Sequence, residues 1–91
     1  MLDKVKLALR VSGTAFDDEI TDIIEAAKED LYAGGVSAEA VKEGGAMVNR
    51  AIVTYAKANY GMANPDSEKY YESYQNMREK LAFSGNHNGR T

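Results

Sequence analysis

AMVNRAIVTYAKANYGMANPDSEKYYESYQNMREKLAF, residues 46–83, is the stretch whose reading decides the fold. Its spacing predicts two helices meeting at a sharp corner between Gly61 and Pro65. In the first, about residues 46–60, apolar side chains take most of the circumference. Val48, Ile52 and Tyr55 form one stripe, and Val53, Ala56 and Tyr60 another. Asn49, Arg50, Thr54 and Lys57 leave only a narrow polar strip. A helix with so little polar surface has to be covered on more than one side, so it is expected to be central, with the others packed around it. After the corner, Asn64-Pro65 joins a capping residue to a proline at the first helical position, a strong start signal. The second helix then carries Tyr70, Tyr74, Met77 and Leu81 at i, i+4, i+7 and i+11, flanked by Tyr71 and Arg78. Ser84-Gly85 is expected to end it.

Working toward the N-terminus, residues 36–45 predict a loop with one or two helical turns at most. Ser37 is placed to cap a turn through Val41-Lys42, and Gly44-Gly45 to break it. Before that loop, Ile20, Ile23, Ile24, Ala27 and Leu31 recur at helical spacing, with Asp18, Asp22, Glu25 and Glu29 opposite them. Thr14-Ala15-Phe16-Asp17 resembles a capping box, with Thr14 or Asp17 as the cap, and carboxylates in the first turn suit the positive end of the helix dipole. Gly34-Gly35 supplies a left-handed stop. At the start of the chain, Leu2, Val5, Ala8 and Leu9 share one face, with Lys4, Lys6 and Arg10 on the other. This short helix needs tertiary support, and Val11 is expected to turn inward behind it. No run alternates with the period of a strand. The expected fold is all-α: about four helices around residues 46–60, with short connections, in one domain spanning 1–84. The polar residues 85–91 are expected to form a flexible tail.

Composition narrows the function classes. Ninety-one residues support one domain with a modest core. The chain has no cysteine, which removes disulfides and thiolate metal sites. A net charge of −3 gives no overall pull toward nucleic acid. The apolar runs are too short to cross a bilayer, and Met1-Leu2-Asp3 opens directly on a helical pattern without a targeting segment, so synthesis in the cytoplasm is expected.

Few groups invite chemistry. His87, the single histidine, stands in a Gly/Asn-rich stretch without a neighbouring carboxylate, and reads as a solvated residue. The seven carboxylates between Asp17 and Asp30 lie on a helix and lack the glycine-centred loop that calcium needs. They read as a solvated face, or as an acidic surface along which DNA would slide. Arg50 and Lys57, two turns apart on the polar strip, are a small footprint for phosphates, and pairing with carboxylates of a neighbouring helix or subunit is the better reading. Six tyrosines are more than one small core can bury with every hydroxyl satisfied, which points some of them toward an interface. No phosphate loop, nucleophile elbow or metal-ligand pair occurs, so neither catalysis nor a cofactor is expected.

The order of segments is the most telling feature. LDKVKLALR, AFDDEITDIIEAAKEDL, RAIVTYAKANYG and NPDSEKYYESYQNMREKLAFS follow one another through residues 2–84. In this order, and above all in the pattern AxVxYAKANYGxxNPDxEKxxxSYxxxxxxL from Ala51 to Leu81, the chain resembles the head–tail connector (DNA-packaging) family of tailed bacteriophages and prophages. The resemblance implies a structural virion protein at the head–tail junction. Such an adaptor forms a ring beneath the portal, matches its twelvefold symmetry, meets a further tail-side connector or stopper protein, and lets double-stranded DNA pass without reading its sequence. Ring closure needs a heterologous interface. Asp18, Asp22, Glu25, Glu29, Arg50, Lys57, Tyr71 and Arg78 are the candidate subunit or portal contacts. The competing reading is a small helical DNA-binding or regulatory module with the Gly61–Pro65 corner as its turn. Its recognition helix would mix Asp66, Glu68, Glu72 and Glu79 with Lys69, Arg78 and Lys80, whereas DNA readers are strongly basic.

Overall fold

The computed structural model describes residues 1–61 and 65–89, with side chains described as far as Phe83. Among the described residues there are five helices and no strand: α1 (Leu2–Leu9), α2 (Asp17–Ala33), α3 (Ala38–Glu43), α4 (Ala46–Asn59) and α5 (Ser67–Gly89). The all-α expectation holds, with the loop at 36–45 carrying the fifth helix. Helix α4 packs against α5, α2 and α1; α1 also packs on α2, and α3 on α2.

The elements start and stop for local reasons. Arg10 closes α1 in the left-handed conformation (φ 60°), with the Val11 N–H donating to the Lys6 carbonyl and the Arg10 N–H to the Leu7 carbonyl. The same double closure ends α2. There Gly35 takes the positive φ, the Val36 N–H donates to the Leu31 carbonyl, and the Val36 and Leu31 side chains are both buried. This is the Schellman arrangement with its hydrophobic contact. Ser37 caps α3 as expected, its hydroxyl accepting from the Ala40 N–H, and Gly44 ends it with φ 66°.

Three boundaries differ from the expectation. Neither Thr14 nor Asp17 caps α2. Phe16 stands at that position and has no side-chain acceptor to offer, while the Asp17 carboxylate pairs with Lys6, 2.7 Å away. The Lys6 ammonium also donates to the Gly13 carbonyl, so one cation clasps α1, the connecting loop and α2. Helix α5 begins at Ser67 rather than Pro65. Pro65 and Asp66 lie in a turn, and the Ser67 hydroxyl donates to the Ala58 carbonyl, tying the start of α5 to the end of α4. Asn64 lies outside the described residues. At its other end α5 runs on to Gly89 instead of stopping at Ser84-Gly85. Extending an established helix adds one backbone bond per residue, and two glycines cost only about 1 kcal/mol each when no proline intervenes.

The core is small and mostly aliphatic. Val5, Ile20, Ile24, Ala27, Leu31, Val36, Val41, Val48, Ala51, Ile52 and Ala56 are buried, and α5 contributes Tyr74 and Ala82. On α4 the expected stripe is shifted. Val48 and Ile52 are buried, while Val53, Tyr55 and Tyr60 are half-buried at the edge. Thr54, assigned to the polar strip, is buried. A helix interior can accept it because its hydroxyl donates to the Arg50 carbonyl one turn back (2.8 Å), leaving no orphaned polar atom. Val11 does turn inward, and Ile23 packs at the margin of the core.

Candidate functional site

Two surfaces and one buried cluster collect the polar residues. The first surface is the outer face of α2. Asp18, Asp22, Glu25 and Glu29 are exposed, and their i, i+4, i+7, i+11 spacing sets them opposite the buried Ile20, Ile24, Ala27 and Leu31. Among the described residues only Glu25 has a counter-charge there, Lys28 at 3.4 Å.

The second surface is an open groove of about 430 Å³ between α4 and α5. Arg50, Val53 and Lys57 line it from α4, and Tyr70, Ser73 and Met77 from α5. Arg50 is exposed on its lip. Lys57 is half-buried, with its ammonium 5.6 Å from the centre of the Tyr70 ring, a cation–π contact.

The cluster lies where α5 crosses the end of α2. Tyr74 is fully buried and its hydroxyl donates to Asp30 Oδ2 (2.6 Å). Arg78 Nη1 donates to the same oxygen from 2.7 Å. The Tyr55 ring meets Tyr74 edge-on at 5.0 Å, and Tyr71 stacks on its other side at 6.3 Å. Burial, then the hydrogen bond to Asp30 and its charge, push the Tyr74 phenol well above the ordinary tyrosine value of 10.0. Burial, followed by the charge of Asp30, raises Tyr55 in the same direction. For Arg78 burial alone would disfavour the cation, but the Asp30 hydrogen bond and charge outweigh it and raise its pKa.

The eight candidate residues therefore divide. Asp18, Asp22, Glu25 and Glu29 share the α2 face, and Arg50 and Lys57 share the groove. Tyr71 is 43% exposed beside the cluster. Arg78 is engaged within the chain, where it holds α5 to α2. Composition alone groups Asp30 with the solvated carboxylates of α2. The signal that separates it is phase: it lies one residue from the buried Leu31, on the margin of the α2 core face. The tyrosines divide too. Tyr74 lines the core, Tyr55, Tyr60 and Tyr70 are half-buried, and Tyr32 and Tyr71 are exposed. Among the described residues, no three His, Asp or Glu side chains converge in a way that could hold a metal ion. No described helix is long and apolar enough to cross a membrane. The His87 side chain lies outside those described.

The described residues thus form a five-helix domain with two charged surfaces and one internal Asp30–Tyr74–Arg78 cluster. The profile of the phage connector protein family matches residues 1–88, almost the whole chain. The chain belongs to the phage connector family. No curated protein and no solved structure matches it significantly. Family membership makes this connector a phage structural protein acting at the head–tail junction, a component of the virion. The matched span contains every surface described above, including the α2 face and the α4/α5 groove.

Proposed function

We propose that this connector closes into a ring beneath the portal and prolongs the DNA channel toward the tail, without catalysing a reaction. The observation that carries the reading is the family match over residues 1–88. The described surface is consistent with it. The subunit exposes an acidic face on α2 and an open groove between α4 and α5, two different surfaces of the kind a head-to-tail contact joins. With a net charge of −3, it would let packaged DNA slide past instead of gripping it. The expected partners are further copies of the chain, the portal, and a tail-side stopper, in a ring matching the portal's twelvefold symmetry. Synthesis would occur in the bacterial cytoplasm before assembly.

The test is assembly on the cognate portal. Native mass spectrometry and negative-stain imaging of the full chain with purified portal should show a ring of connector subunits on one end of the portal. A chain that stays monomeric over the accessible concentration range and also ignores portal overturns the proposal. Duplex DNA supplies a control. No salt-dependent mobility shift is expected at micromolar protein, whereas a regulator would produce one.

A further inference from the structure

We infer that α5 is built in two parts, and that residues 75–83 form a strap, latched on Asp30, that opens from the body as one unit while the rest of the domain stays folded. This concerns the single subunit and does not rest on the ring reading.

The first part of α5 is tied down along α4. The Ser67 hydroxyl donates to the Ala58 carbonyl, and Lys57 lies over the Tyr70 ring. Tyr74 is fully buried, with Tyr55 edge-on against it. After Tyr74 the support thins. From residue 75 to 83 the one buried side chain is Ala82, which has a single methyl to contribute, while Met77 and Leu81 are partly buried. On the α4 side this part borders an open hollow of about 610 Å³, lined by Met47, Glu79, Lys80 and Phe83. At the end of α2 it crosses two glycines. The Arg78 stem fills the space where a Gly34 Cβ would stand, and the Ala82 methyl lies 3.5 Å from the position of a Gly35 Cβ. The chain there offers backbone alone, so apolar burial gives the strap little hold.

What fastens the strap is polar. The Tyr74 hydroxyl and Arg78 Nη1 both donate to one atom, Asp30 Oδ2, at 2.6 and 2.7 Å. Tyr74 is the last residue of the fixed part, so Arg78 alone carries the latch into the strap. The Arg78 and Asp30 side chains are 23% and 32% exposed, so water can reach this pair and replace it, as it cannot in the core. A helix half held by one solvent-reachable ion pair and a methyl is a low-stability unit inside a more stable domain.

Amide hydrogen exchange of the full chain, read residue by residue by NMR at several sub-denaturing urea concentrations, tests this. Residues 79–83 should share one opening free energy, with a smaller urea dependence than the Ala56 amide of α4, which opens only in global unfolding. Protection that falls off evenly along 79–83 is ordinary fraying and overturns the latch. A urea dependence equal to that of Ala56 overturns the strap. Two variants sharpen the reading. Arg78→Met keeps the stem over Gly34 and drops the charge, and should speed exchange of residues 79–83 by about tenfold. Combined with Asp30→Ala it should add nothing, since the bond is already gone; additive effects overturn the pairing. Ile52→Val weakens the core away from the strap. It should speed Ala56 and leave residues 79–83 as they were, whereas an equal rise at both shows that α5 opens only with the whole domain and overturns the inference.

Discussion

Tyr74 shows how much one residue can commit. It brings a large ring into the core and ends in a hydroxyl that must find a partner, and Asp30 supplies it. Replacing Tyr74 with Phe keeps the ring and leaves Asp30 to Arg78 alone. The expected loss is about 1 kcal/mol by denaturant unfolding, against about 3–5 kcal/mol for Tyr74→Ala. The raised phenol pKa gives a second handle. Above pH 10 the unfolded chain releases the Tyr74 proton and the folded chain retains it, so the unfolded state binds fewer protons and stability falls as pH rises. The stabilisation is complete below pH 10 and is lost above it at up to ~1.4 kcal/mol per pH unit. Tyr74→Phe should flatten that alkaline limb, which pH-dependent unfolding would reveal. Arg10 commits in the opposite sense. It holds a left-handed conformation that a side chain resists, at the position where α2 uses Gly35. Arg10→Gly should raise stability by about 0.5–1 kcal/mol, the relief of strain being reduced by the glycine's greater freedom when unfolded. A fall in melting temperature would show that the Arg10 side chain contributes more than its backbone costs.

Among the elements, α5 depends most on its neighbours. Its C-terminal half crosses α2 at Gly34, where a Cβ would stand 2.3 Å from Arg78 Cδ. Arg78 cannot swing aside without leaving Asp30, so Gly34→Ala sets a methyl against the side chain that anchors α5. Overpacking of this kind costs about 1–3 kcal/mol, exceeding the entropy gain of a Gly→Ala change. The expected outcome is a net loss in thermal stability, with faster amide exchange in α5 than in α4. Unchanged exchange there would mean that Arg78 is not what holds the helix. Helix α1, only eight residues long, is held from both sides: Val5 enters the core and Lys6 clasps Asp17. Much of the candidate surface was legible at this scale. The α2 acidic stripe follows from 3.6-residue periodicity alone, and so does the placing of Arg50 and Lys57 on one side of α4. Periodicity could not tell which polar residues are used within the chain. Thr54, Lys6 and Arg78 all carry polar patterns and all serve the fold, because each finds its partner on a neighbouring turn, loop or helix.

For the whole molecule, the core sets the stability on which the proposed assembly would depend. Ile52 is buried where α4 faces its neighbours, and Ile52→Ala should cost about 2–5 kcal/mol, a large share of the stability of a domain this size. Denaturant unfolding of that variant should show the loss directly, and the proposed portal binding should fall with the folded fraction. Several large apolar side chains also remain exposed on the subunit, among them Leu7 (81%) and Phe83 (69%). A protein that completes its surface against other virion proteins can carry such residues.

The sequence by itself determined the helical class, the positions of the helices to within a few residues, the acidic face of α2 and the family order of segments. These follow from local rules, since periodicity, glycines and proline act over one or two turns. Only the tertiary structure decided that Asp30, Tyr74 and Arg78 meet, because they lie 44 to 48 residues apart in the chain and no local rule brings them together. It alone also opened a groove beside Arg50 and Lys57, since a groove belongs to two helices at once. Residues 46–83 announced two helices and a corner. Packing decided which side of that pair is core and which stays exposed.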